Sequence, residues 1–143
     1  MKIKKINRFS TRVFEAVLRL LPQLSSEADL PSKQYFKSIL TSDNIHFFIA
    51  ELDNKQIVGI LTIGTYNIPS GTKVWIEDVV VDESQRGKGI GKELMLHAIS
   101  YSRSLSAKNV GLTSRPSRIA ANKLYQKMGF VQYETNVYKY QLK

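Results

Sequence analysis

The residues with the most chemical content are Gln85-Arg86-Gly87-Lys88-Gly89-Ile90-Gly91, a glycine-rich turn between an apolar run and a long helix-periodic one. Glycines let a backbone curl until several N–H groups point inward, and a helix N-terminus with flanking cations favours an anion there. Arg86, Lys88 and Lys92 supply the cations, so the segment reads as a phosphate site. Its spacing excludes the two best-known phosphate loops. A P-loop leaves four residues between its glycines and follows Lys with Ser or Thr. Here Gly87 and Gly91 enclose three, and Lys92 precedes Glu93. A dinucleotide fingerprint is Gly-x-Gly-x-x-Gly, whereas Gly87, Gly89 and Gly91 make Gly-x-Gly-x-Gly. A tight turn alone needs one glycine; three in five positions, among cations, point to an anion.

The rest of the composition narrows the chemistry. The chain has 143 residues and no cysteine, which excludes disulfides, thiolate metal sites and a cysteine nucleophile. The two histidines, His46 and His97, stand in no metal-ligand spacing and read as packed or surface residues, so no metal is expected. The net charge of +9 favours acidic ligands or plain solubility. The basic residues are scattered and form no nucleic-acid module. No run approaches the roughly 18 apolar residues that span a bilayer. No signal-peptide core follows the basic start either, so a cytoplasmic protein without membrane contact is expected.

The elements that must hold the loop can be read from periodicity. Lys2 to Ile6 alternates weakly as an opening strand. Ser10 to Leu21 has helical spacing at Val13, Phe14, Val17, Leu18 and Leu21, with Pro22 as its stop. A second helix is expected from Pro31, burying Tyr35, Phe36, Ile39 and Leu40. His46 to Leu52 and Gln56 to Tyr66 read as a hairpin around Asp53-Asn54-Lys55, followed by a loop at Asn67 to Gly71. A further strand at Lys73 to Val81 then feeds the glycine turn. Gly89 to Leu105 carries Ile90, Leu94, His97, Ala98 and Tyr101 on one helical stripe. A short strand at Asn109 to Thr113 follows. Ser117 then reads as the N-cap of a helix to about Met128, Gly129 as its left-handed cap, and Phe130 to Leu142 as strand. The order predicts one α/β or α+β domain over residues 1–143, built around a mixed sheet.

The glycine turn resembles the Arg/Gln-x-x-Gly-x-Gly/Ala signature of the GNAT family of acyl-coenzyme A N-acetyltransferases, matched by Arg86, Gly89 and Gly91. That family's preceding strand is matched by Val79-Val80-Val81-Asp82, and a second block by Ala121-Asn122-Lys123-Leu124-Tyr125-Gln126-Lys127-Met128-Gly129-Phe130. The matching region covers about residues 73 to 131 in the right order. The resemblance implies the GNAT fold, a mixed, mostly antiparallel sheet of about six to seven strands flanked by about four helices. It implies acetyl-CoA as cosubstrate, an amine as acceptor and no metal. A homodimer through the C-terminal strands, where Tyr133, Val137, Tyr138 and Tyr140 offer apolar surface, belongs to the same expectation.

The resemblance also assigns residues. Arg86, Gly87, Lys88, Gly89, Ile90, Gly91 and Lys92 would receive the pyrophosphate, while Val79, Val80 and Val81 would pair with the pantetheine arm. A bulge in that strand would open a cleft, but sequence does not reveal bulges. Transfer to an amine needs a carboxylate to remove a proton. Glu77 is the candidate, with Asp78 beside it as an alternative, because successive residues of a regular strand face opposite sides. Tyr125 would protonate the departing thiolate, its phenol near ~10 matched to a thiol near ~8.5, and Asn122 would contact pantetheine or phosphate. Arg115 and Arg118 read equally as 3′-phosphate or acceptor contacts and as solvated residues. Four functional readings stay open: an N-acetyltransferase for a small amine or peptide, a protein acetyltransferase, a non-catalytic acyl-CoA module and, as the remaining option, a nucleic-acid binder.

Overall fold

A computed structural model of the chain describes residues 1–143. Two compact units are present, Met1–Thr113 and Ser114–Lys143. The first contains β1 (Lys2–Ile6), α1 (Thr11–Leu24), α2 (Lys33–Thr41), β2 (Ile45–Glu51), β3 (Ile57–Ile68), β4 (Gly71–Val81) and α3 (Ile90–Ser104). The second contains α4 (Ile119–Lys127).

The four strands form one antiparallel sheet in the order β1-β2-β3-β4. Because side chains alternate along a strand, β2 serves both faces. Phe47 and Ile49 join Val13, Phe14, Val17, Leu20 and Phe36 in a core beneath α1 and α2. Phe48, on the opposite face, packs its ring against His97 and Tyr101 of α3, each 5.0 Å away. Helices therefore cover both faces of the sheet. Gly59 lies under α3, where a Cβ would meet Leu94 Cδ1 at 2.9 Å.

Several expectations are corrected. Pro22 does not end α1, which runs on to Leu24. Proline lacks the N–H of the helical ladder, but Leu18, Leu21 and Leu24 all pack on the core and hold the last turn in place. Pro31 does not start α2; Ser32 caps it, its Oγ accepting from Tyr35 N. Tyr35, read as core, is 61% exposed. Four helices form as expected, but the sheet has four strands rather than six to seven. Asn109–Thr113 contributes only a parallel bridge between Gly111 and Trp75. Phe130–Leu142 makes no strand, and Tyr138, Tyr140 and Leu142 are almost fully exposed there. Alternation and aromatic content create strand propensity, yet a strand exists only where an edge accepts its ladder.

Beneath α3 a polar chain crosses the sheet face. Lys5 Nζ donates to Tyr101 Oη at 2.9 Å, which leaves the phenol proton for His46 Nδ1, also at 2.9 Å. In the neutral His46 imidazole that burial favours, this geometry suits Nδ1 as the acceptor and Nε2 as the protonated nitrogen. Burial, helped by the charge of Lys5, holds its pKa below the ordinary 6.5. Between that lowered value and 6.5 the unfolded chain binds the proton more readily, so stability rises with pH and falls as the medium is acidified through this window. Denaturant midpoints measured at pH 7.5 and 5.5 are expected to fall further for the wild type than for His46→Gln, which keeps an acceptor for Tyr101 and does not titrate.

Candidate active site

Strand β4 is one of the two edge strands of the sheet, and its regular ladder with β3 breaks once. Ile60 pairs with Val80 and Thr62 with Glu77, so Leu61 faces the two residues Asp78 and Val79 across a β-bulge. Asp78 takes a left-handed φ of 48°, a conformation costing a non-glycine residue about 1–3 kcal/mol and concentrated at functional sites. The bulge defeats the alternation that would set Glu77 and Asp78 on opposite sides. Glu77 shares the face of its cross-strand partner Thr62, and Thr62 and Asp78 both line a cavity of about 700 Å³ on that face. Burial raises the pKa of both carboxyls, and the charge of Asp78 raises Glu77 further. Two carboxyls shifted upward, one of them in the cavity wall, are better proton acceptors for an ammonium than ordinary carboxylates.

The cavity is walled by α1, α2 and the segment between them, with Phe36, Phe47 and Ile60 as its apolar floor. Asp29, from the segment joining α1 to α2, also lines it. Sequence reading missed this wall because Asp29 stands in no motif and nothing local reveals that it lines the same cavity as Asp78.

Beyond the bulge, β4 leads through a 3₁₀ turn at Glu83–Gln85 into the glycine segment. Gly87 and Gly89 have φ of 78° and 81°, and a Cβ at either would meet nothing within 4 Å. Gly89 caps the N-terminus of α3 without any side-chain hydrogen bond, so the first N–H groups of a 15-residue helix are left for an anion. Lys88, which bonds Gln85, and Lys92 are exposed around this opening. The Arg86 Nε folds back onto Val81 O at 3.1 Å. Gly91 lies within the first turn of α3, so two glycines, not three, form the left-handed cradle. Ile90 is buried and offers only its backbone to a ligand. The residues fit a diphosphate: open space, inward amides and cations.

Helix α1 grips the start of this segment. Arg19 donates to Asp82 and, at 2.6 Å, to Ile57 O, while Gln23 accepts from Glu83 N at 2.8 Å. Burial opposes ionisation of Asp82, but its bonds to Ser84 and Arg19 prevail and its pKa is lowered. The helix that walls the cavity thus also fixes the glycine segment.

Tyr125 and Asn122 belong to the second unit. Helix α4 begins at Ile119 with Arg118 as cap, one residue beyond the expected Ser117. Its C-terminus is a Schellman motif: Gly129 at φ 96°, Gly129 N donating to Gln126 O and Phe130 N to Tyr125 O. The rings of Tyr125 and Phe130 complete it at 5.9 Å. The Tyr125 phenol is buried, which raises its pKa against the opposing pull of the Arg118 guanidinium hydrogen-bonded to it. It is a protonated donor at neutral pH. Arg118 therefore has a partner that neither reading of it had offered. Asn122 Nδ2 donates to Arg115 O at 2.9 Å and ties the segment before the helix to its second turn.

No cluster of His, Asp or Glu able to hold a metal ion is present, and no helix is long and apolar enough to cross a membrane. The model of the acetyltransferase (GNAT) family matches residues 11–130. An uncharacterized N-acetyltransferase of Bacillus subtilis, YycN, is 30% identical over 118 residues, covering 80% of this chain and 74% of the relative. An uncharacterized N-acetyltransferase of Methanocaldococcus jannaschii is 28% identical over 105 residues; the match covers 72% of this chain and about half of the relative, 46%. An aminoglycoside acetyltransferase from an uncultured soil metagenomic sample, solved in complex with sisomicin, superposes with a TM-score of 0.87 at 22% identity, covering 99% of this chain and 96% of that one.

Proposed function

The chain belongs to the acetyltransferase (GNAT) family, and from that premise we propose that it is an acetyl-CoA-dependent N-acetyltransferase that moves the acetyl group directly onto a primary amine of a small molecule. The observation that carries this reading is the bulge at Asp78, which sets that carboxylate, with Glu77 next to it in the strand, in the wall of a cavity one short segment ahead of the glycine cradle. Residues 1–143 act in it as one catalytic domain.

The amides of Gly87, Lys88, Gly89, Ile90 and Gly91, with Arg86 and Lys92, bind the pyrophosphate. Val79, Val80 and Val81 align the pantetheine arm, and Asn122 contacts the pantetheine or a phosphate. The carboxylate pair takes a proton from the ammonium. The neutral nitrogen attacks the thioester carbonyl, and the C–S bond breaks as the amide C–N bond forms. Tyr125 gives its proton to the leaving thiolate and is reprotonated, through water, by the second proton that the nitrogen sheds as the amide forms. A cavity of about 700 Å³ suits a small acceptor better than an exposed protein chain. The same reading keeps a homodimer through the C-terminal segment, where exposed Tyr133, Val137, Tyr138 and Tyr140 offer apolar surface.

Calorimetric titration with acetyl-CoA, followed by a thiol-release assay with an amine panel, checks the reading. Micromolar binding with amine-dependent thiol release is expected. Binding without release from any amine would leave a non-catalytic acyl-CoA module, and absence of binding by folded protein would remove the reading altogether.

A further inference from the structure

We propose that the cavity under α1 and α2 selects a cationic amine carried on an apolar, ring-sized body, and that Asp29 is the residue that sets this preference. The inference rests on the acetyltransferase reading and names the acceptor class of the same site.

Three features of the lining lead there. The cavity holds two carboxylates, Asp29 and Asp78, and no Lys, Arg or His, although Lys and Arg outnumber Asp and Glu by 21 to 12 in the chain as a whole. An excess of cations everywhere else and their absence from this wall make it a place for positive charge. Both carboxylates are uncommitted, with no hydrogen bond or ion pair to protein groups. Glu51 and Asp82, by contrast, are each held by arginine. A ligand ammonium can therefore pair with them without displacing an existing partner.

The remaining surface is apolar. Phe36, Phe47 and Ile60 form the floor, and the mouth is flanked by Leu30 and Tyr35, 53% and 61% exposed. Large apolar side chains left in water around a concavity mark a surface that gains by covering an apolar ligand. Uncharged hydrogen-bonding side chains are few: Ser32, whose Oγ already accepts from Tyr35 N, Thr62, and the Tyr35 hydroxyl at the mouth. A polyhydroxylated sugar would leave several hydroxyls unpaired there, at about 1–3 kcal/mol each. A phosphate ester would face the two carboxylates with its own negative charge. The wall therefore favours an arylalkylamine over an amino-sugar phosphate or an aminoglycoside.

The test compares tryptamine and phenethylamine with putrescine, glucosamine 6-phosphate and sisomicin. Binding of each to the protein is read by calorimetry with and without acetyl-CoA, and turnover by thiol release. The two aromatic amines are expected to exceed the other three by about ten-fold or more in kcat/KM. Asp29→Asn is expected to raise their KM by about ten-fold at unchanged kcat and unchanged melting temperature, because Asp29 makes no contact that folding needs. Preference for glucosamine 6-phosphate or sisomicin, binding of none of the five, or an unaltered KM in Asp29→Asn would each overturn the inference. The titration with acetyl-CoA separates the two levels. Cofactor binding with the wrong amine preference removes this inference alone. Lack of cofactor binding removes the enzymatic reading, while amine binding still judges the cavity.

Discussion

Gly89→Glu is expected to abolish acetyl-CoA binding while leaving the protein folded. Gly89 sits at φ 81° and caps α3 without a side-chain bond, and a Cβ there would enter open space. The substitution costs about 1–2 kcal/mol of left-handed strain. A carboxylate at a helix N-terminus returns about 0.3–1 kcal/mol through the helix dipole, so the melting temperature should move by only a few degrees. Ligand binding suffers far more. The new carboxylate occupies the space of the pyrophosphate and repels its charge at the amides that would hold it. A loss of at least about 100-fold in affinity, some 2.7 kcal/mol, is expected in calorimetry. Gly89→Ala shares the strain without the charge and bulk, and should keep most of the affinity. Equal binding by wild type and Gly89→Glu would show that the glycine segment is only a turn.

How far such a site can be read from residue types follows from what each backbone position demands. Gly87, Gly89 and Gly129 all have positive φ, a conformation in which glycine is the default choice, so cradle and helix cap were both visible in advance. The bulge was not, because its left-handed residue is Asp78. A strand containing Glu-Asp looks identical with and without an extra residue in its ladder. Helix α1 was located by its apolar spacing but misjudged at Pro22, where packing of Leu21 and Leu24 outweighs the missing N–H. Phe130–Leu142 shows the reverse error. Its alternation promised a strand, and pairing, which sequence cannot supply, is absent. Tyr125 was found only through the pattern around it; burial and the Arg118 bond are what give it a protonated hydroxyl.

Among the carboxylates, Asp78→Asn is expected to lower kcat by about 100-fold or more, and Glu77→Gln by less. Only Asp78 of the two lines the cavity. Asparagine is the informative replacement because it tolerates the left-handed backbone that Asp78 occupies at φ 48°, whereas a β-branched residue would disturb the bulge itself. The pH profile distinguishes the roles. Both carboxyls are raised by burial, and Glu77 additionally by the charge of Asp78, so wild-type kcat/KM should fall on acidification at a pH above the ordinary carboxylate range. Removing the Asp78 charge lowers the pKa of Glu77, and whatever activity Asp78→Asn retains through Glu77 should keep its acid limb at lower pH. If Asp78 is the base and Glu77 only its neighbour, Glu77→Gln keeps an acid limb and most of the rate. An Asp78→Asn variant with wild-type kcat and an unshifted profile would move proton removal from the bulge to water or to the acceptor itself.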